Sequence, residues 1–345
     1  MSRDEADDDD LTFPHPREAV NLRGHAAAEL AILDAYRSGR MPHAWLIGGP
    51  PGIGKATLAY RAARFTLAHP DPSSRKVLSA QSLAIDPSHP TFRRIAAQSH
   101  PDLLVLRRTI GDTGKLRTVI SVDQVRRSVS FFGSTAGEGG WRVCVVDAAD
   151  DLQAEAANAL LKVIEEPPAR SVFFLVSHAP GRLLVTIRSR CRRLMLRPLA
   201  PDDVVRAASE AIGRPQDDPE LLAAAKLGGG SVGATLALLD ADTLALRERI
   251  SGMLDKLPTV DGAALHKLGE QIAGTDALPL ATFIDAVRDW LSAQLPALSA
   301  DPHRLAQVAE VWDKVNRAAR DVEVYNLERK PLVFSVFGWL SHTAR

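Results

Sequence analysis

Two cysteines, Cys144 and Cys191, are all that the 345 residues contain. This excludes a disulfide framework and a four-cysteine zinc site, and it fits a reduced, cytoplasmic setting. No apolar run reaches the ~18 residues of a membrane span, so no membrane partner is expected. Positive and negative charges cancel to a formal net charge of zero. The chain as a whole therefore lacks the basic balance of a polyanion binder, and any nucleic-acid contact has to come from a local surface or from an assembly. The acidic stretch at residues 4–10 has the marks of neither a secretory signal nor a transit peptide, and residues 1–20 are expected to form a solvated tail. What remains, 46% apolar and 24% charged with length for two or three domains, is ordinary for a globular protein.

Two further absences concern chemistry. Gly49-Pro50-Pro51-Gly52-Ile53-Gly54-Lys55 has the spacing of a phosphate-binding loop. In such a loop, glycines let successive backbone N–H groups turn toward phosphate oxygens at a helix N-terminus, and the lysine reaches the β- and γ-phosphates. The next position normally carries the hydroxyl that coordinates Mg²⁺; here it is Ala56. Thr57 follows about 100° further round the helix. The candidate nucleotide contacts are thus Gly49, Gly52, Gly54, Lys55, Thr57 and Asp147, a degenerate set. Asp147 ends an apolar stretch at residues 142–146 and is the candidate for a water-mediated Mg²⁺ contact. It is followed by Ala148, where an active ATPase would carry Glu. A positioned base contributes roughly 10²–10⁴ in rate, so hydrolysis is expected to be absent or very weak, with ATP or ADP bound weakly and not turned over. The alternative is that Asp150 or Asp151 stands in for the missing carboxylate; the helix that follows is expected to carry both out of line.

Along the chain, residues 44–48, 102–106, 142–146 and 171–176 read as strands. Those at 56–68, 121–132 and 153–165 read as helices, the last stopped by Pro167-Pro168. Alternating buried strands and helices give an α/β domain with a parallel sheet. Residues 69–89 read as an irregular excursion, and 107–117 as a basic loop that is either a solvated surface or a weak DNA contact. From Pro198 onward the pattern is helical. Two apolar stripes, Phe283, Val287, Trp290, Leu291 and Leu305, Val308, Trp312, Val315, are expected in a helical core.

The run Asn158-Ala159-Leu160-Leu161-Lys162-Val163-Ile164-Glu165-Glu166-Pro167-Pro168, with Thr186-Ile187-Arg188-Ser189-Arg190-Cys191, resembles the signature of AAA+ clamp-loader subunits. Met41-Pro42-His43-Ala44 ahead of the loop is similar to the delta-prime family of bacterial DNA polymerase III. The resemblance covers residues 24–197 closely and the rest more weakly. It implies a P-loop AAA+ domain at residues 21–197, a small helical lid at 198–242 and an all-helical collar at 243–345. It implies a role for Arg190 as an arginine finger given in trans to a neighbour's ATP site; a structural arginine among Arg188, Arg192 and Arg193 is the alternative. A sensor 1 segment falls on Ser177-His178. In Gly230-Ser231-Val232-Gly233, Gly233 stands where a sensor 2 arginine would be, a third loss at one site. The family's zinc module would lie within residues 70–100, which hold no cysteine, so no zinc and no other metal is expected. The implied partners are motor subunits and a clamp-opening subunit in a hetero-oligomeric ring, a sliding clamp and primer–template DNA. The implied role is that of a stator-like part of the polymerase holoenzyme in DNA replication. An active clamp-loader ATPase and a stand-alone nucleotide-binding regulatory module are the rival readings.

Overall fold

The computed structural model describes residues 13–111, 117–133, 137, 140–274, 277–298, 301–325 and 327–343. The acidic residues 4–10 and, in the basic loop, Gly114 and Lys115 lie outside them. The chain forms two compact units, Met1–Thr235 and Leu236–Arg345. No helix among the described residues is long and apolar enough to cross a membrane.

In chain order the first unit contains α1 (Ala26–Arg37), β1 (Ala44–Gly48), α2 (Lys55–Ala68), α3 (Arg75–Ser79), α4 (Pro90–Ala96), β2 (Leu103–Arg107), α5 (Val122–Gly133), β3 (Arg142–Asp147), α6 (Ala154–Glu165), β4 (Ser171–Ser177), α7 (Val185–Arg190), β5 (Arg192–Met195), α8 (Pro201–Ile212) and α9 (Pro219–Leu227). The five strands form one sheet in the order β2-β3-β4-β1-β5, and every neighbouring pair is parallel. Strand side chains alternate between the two faces. Trp45, Ile47, Val143, Val145, Val172 and Phe174 pack against α1, α2 and α4. Ala44, Leu46, Cys144, Val146, Phe173 and Leu175 pack against α5, α6 and α7. Both faces are covered, which is why these strands read as continuous apolar runs.

The excursion after α2, residues 69–89, is more ordered than its composition suggests, since it contains α3 and leads directly into α4. Val77, Leu83, Ile85, Phe92 and Ile95 sink into the same core as α2. Glu29, buried on α1, accepts from Arg61 Nε and from the Leu83 backbone N–H at 2.9 Å. The Arg64 guanidinium lies 4.4 Å from the centre of the Phe92 ring. Apolar burial and one buried, hydrogen-bonded ion pair therefore hold the segment.

Other differences from the sequence reading have local causes. Residues 192–195 form a strand, but at the sheet edge, where Arg192, Arg193 and Met195 face out and erase the apolar signal. Of the two stripes, all but one residue is buried or half-buried; Leu305, near the start of its helix, is 38% exposed and belongs to the surface.

The chain passes into the second unit through α10 (Val232–Ala237), and that unit is built from α11 (Ala241–Leu254), α12 (Gly262–Ile272), α13 (Ala277–Leu298), α14 (Pro302–Val324) and α15 (Arg329–Thr343). Asp240, Asp261 and Asp301 cap α11, α12 and α14 by accepting backbone N–H bonds in the first turn. The core joins Ile250, Phe283, Val287, Val315 and Val336, and Phe283 stacks on Phe337 with ring centres 6.1 Å apart.

Candidate functional site: a P-loop latched to the lid

Parallel strands deliver three segments to one edge of the sheet. β1 runs into the loop at Gly49, β3 ends at Asp147, and β4, hydrogen-bonded between them, ends at Ser177. The carboxyl edge of such a sheet is where ligands gather in doubly wound folds. Gly49 N donates to Ser177 O at 3.3 Å, which ties the loop to the end of β4. At Gly49 the backbone φ is +145°, and an added Cβ would lie 2.5 Å from Leu196 O. Gly54, with φ +97°, caps the N-terminus of α2. Glycine is required at both positions by conformation.

The lid segment is fastened to this loop. Ser231 Oγ donates to Pro51 O at 3.0 Å, and Gly233 N donates to Gly52 O at 3.0 Å. Gly52 and Gly233 stand back to back: a Cβ on Gly233 would come within 3.0 Å of Gly52 Cα, and one on Gly52 would meet Ser231 Oγ at 2.3 Å. A side chain at Gly233, the place implied for a sensor 2 arginine, would start in tight contact with the loop. The same segment is pinned at Leu199, whose N–H donates to Gly230 O at 2.9 Å.

Lys55 is buried and donates to Pro50 O, a carbonyl of its own loop. Burial lowers its pKa to about 8, against the opposing pull of Asp147 and Asp150. Burial raises Asp147 to about 6, with Lys55 opposing and Asp151 reinforcing. Asp150 departs from the sequence expectation. It sits in a 3-10 turn (Ala149–Asp151) ahead of α6 and folds back onto the end of β4. There its carboxylate accepts from Ser177 Oγ (3.0 Å), His178 N (2.6 Å) and Ala179 N (3.0 Å). The Ser177 hydroxyl, in the segment where the resemblance implies sensor 1, is thus engaged inside the protein. Asp151 pairs with Arg108 at 3.2 Å. Ala148 is buried, and no hydrogen bond among the described residues joins Thr57 to the group. Lys55 lies within electrostatic reach of Asp147 and Asp150. This set does not fit a Mg²⁺–nucleotide poised for hydrolysis: the amide cradle and lysine are present, while the magnesium hydroxyl and the water-orienting carboxylate are missing.

The raised pKa of Asp147 has a measurable sign. Its folded value, about 6, lies above the ordinary 3.8, so the native state binds the extra proton between these values. Stability attributable to this group falls as pH rises from about 4 through 6 and is level above. Asp147→Asn is expected to stabilise the protein by roughly 1–2 kcal/mol at pH 7.5, after allowance for solvent screening. The gain should vanish near pH 4, as read from urea unfolding at the two pH values.

Arg190 is not part of this cluster. β5 runs parallel to β1, with Arg192 opposite Trp45 and Met195 opposite Gly48. Arg190, just before β5, therefore lies at the amino edge of the sheet, away from the P-loop. Its guanidinium, 38% exposed, pairs with Glu165 at 2.7 Å and donates to Thr186 O at 3.1 Å. Cys191 next to it is buried, with its thiol pushed up to about 12, so it is a packing residue and not a nucleophile. Ser231 and Glu165 are functional candidates that the sequence reading placed in motifs without a role of their own. Asp150, which it weighed only as a stand-in for the missing carboxylate, instead anchors the end of β4.

A family model described as DNA polymerase III, delta subunit, matches residues 25–200. The chain is 35% identical over 219 residues to DNA polymerase III subunit delta' of Escherichia coli, covering 64% of this chain and 61% of that protein. To subunit delta' of Pseudomonas aeruginosa it is 32% identical over 254 residues, covering 72% of this chain and 70% of the relative. It is also 30% identical over 279 residues to subunit gamma/tau of Mycobacterium tuberculosis, covering 77% of this chain and 44% of that one. The chain thus spans 61% of the length of the Escherichia coli relative and 70% of that of the Pseudomonas aeruginosa one. On the family match and these identities, the chain belongs to the DNA polymerase III delta-subunit family, among its delta-prime members.

Proposed function

We propose that this chain is a non-motor, stator-like subunit of the DNA polymerase III clamp loader, acting in the cytoplasm in DNA replication. It joins motor subunits and a clamp-opening subunit in a hetero-oligomeric ring, with the lid (198–242) and collar (243–345) as the parts beyond the AAA+ domain (21–197). Its own P-loop holds ATP or ADP weakly at most and turns neither over. It gives Arg190 in trans to a neighbour's ATP, and the assembly loads a sliding clamp on primer–template DNA. The observation that carries this reading is the back-to-back packing of Gly52 on Gly233, which crowds any side chain at the implied sensor position of a site that also lacks its magnesium hydroxyl. The exposed Arg190 at the other sheet edge supports the trans role.

Reconstitution tests it. With motor subunits, clamp and primed DNA, omission of this chain is expected to abolish ATP-dependent clamp loading, and the isolated chain is expected to release no phosphate above background. Phosphate release by the isolated chain at the assembly's rate would favour the active-ATPase reading. Loading indifferent to the chain, with tight Mg²⁺-dependent ATP binding by a monomer, would favour a stand-alone module.

A further inference from the structure

Glu165 ends α6, just before the Pro167-Pro168 stop, and Arg190 ends α7. The two helices are locked together from beneath, because Ala156, Leu160 and Ile164 of α6 share one core with Ile187 of α7. A carboxylate at a helix C-terminus opposes the helix dipole, so Glu165 sits at an end that disfavours it, and the Arg190 guanidinium offsets that. The pair is 38% and 39% exposed, and such surface ion pairs add little to stability. What the contact does supply is geometry. Glu165 Oε1 lies 2.7 Å from Nη2 in an ion pair, and Thr186 O accepts an N–H of Nη1 at 3.1 Å. Two oxygens against two different nitrogens restrain the plane of the guanidinium. Of its five N–H donors one is hydrogen-bonded among the described residues, and further donors remain for oxygens outside the chain.

We infer that Glu165 is a positioning residue for Arg190: it holds the fork in one orientation at the surface, so that an anionic ligand of a neighbouring subunit meets a pre-set donor array. An unrestrained arginine would have to give up its side-chain rotamer freedom at the moment of contact, and pre-organisation reduces that cost. This inference rests on the trans role proposed for Arg190.

The test is ATP hydrolysis by the reconstituted, DNA-stimulated assembly, with kcat and KM read separately. Glu165→Ala is expected to lower kcat at the neighbouring site about tenfold and leave KM for ATP within about twofold. Glu165→Gln, whose amide oxygen keeps a polar partner of the same reach beside Nη2, should stay within about threefold of the parent. In an Arg190→Ala background, Glu165→Ala should cost nothing more, since positioning acts only through Arg190. If Arg190→Ala itself has no effect, the trans reading fails and this inference with it. If Arg190→Ala acts but Glu165→Ala does not, or if their losses multiply, the inference alone is wrong. A faster Glu165→Ala assembly would make Glu165 a brake and overturn it too. Failure of both Glu165 variants to enter the assembly, judged by gel filtration, would make the residue structural and likewise overturn it.

Discussion

Arg190→Ala is expected to slow hydrolysis at the neighbouring ATP site by about 10³-fold, the lower end of what an arginine finger supplied in trans contributes. The expectation follows from charge and place together. The guanidinium is permanently charged and planar, and it offers a fork that matches phosphate oxygens. It lies at the amino edge of the sheet, separated from its own P-loop by the length of β5, so it does not serve the loop of its own chain. Removing it breaks only the half-exposed contacts to Glu165 and Thr186, and the fold should melt within about 1 kcal/mol of the parent. The measurement is single-turnover phosphate release by the reconstituted loader, with circular dichroism melting of the isolated variant as its control. Arg190→Lys keeps the charge and loses the fork, and it should recover only a small part of the rate. Undiminished hydrolysis in a folded, incorporated Arg190→Ala variant would return Arg190 to the basic run as a structural residue.

The sequence carried the sheet well wherever both faces of a strand are covered. The strands at 44–48, 142–147 and 171–177 are unbroken apolar runs because helices pack on either side. It failed where burial is one-sided or absent. β5 shows two arginines to solvent, and α3 is five residues long, too short for periodicity to register. The aspartates that cap α9, α11, α12 and α14 were legible signals that would have sharpened the helix boundaries. At the site, each loss could be read locally: Ala56 beside Lys55, Ala148 beside Asp147. Their consequence could not. That Asp150 turns back to take three hydrogen bonds at the end of β4 depends on the chain reversing before α6. That Gly52 meets Gly233 depends on a contact across some 180 residues of chain, for which neither glycine carries a local signal.

That contact sets the second large effect. Gly233→Arg, which puts an arginine where the resemblance implies a sensor, is expected to destabilise the first unit by about 3 kcal/mol. The obstacle is backbone and cannot be relieved by a rotamer change. The first side-chain carbon already lies 3.0 Å from Gly52 Cα, and the Gly233 N–H to Gly52 O bond holds the two strands of chain together. Accommodating a side chain means shifting lid against loop, which strains that bond and Ser231 Oγ to Pro51 O, on top of the overpacking cost. For a unit of this size, 3 kcal/mol lowers its melting transition by roughly 6–12 °C. Gly233→Ala should fall in between, and Ser231→Ala should cost about 1 kcal/mol. The arginine should bring no hydrolysis with it, since Ala56 still offers magnesium no hydroxyl. Adding Ala148→Glu would force a third carboxylate into a buried position beside Asp147 and Asp150, so the combined variant should be less stable still. Two of the three losses, Gly233 and Ala148, are thus expected to be held small by what packs or charges the space around them. A Gly233→Arg chain that melts like the parent and binds Mg²⁺–ATP tightly would show the lid to be free of the loop, and would sink the stator reading at its base.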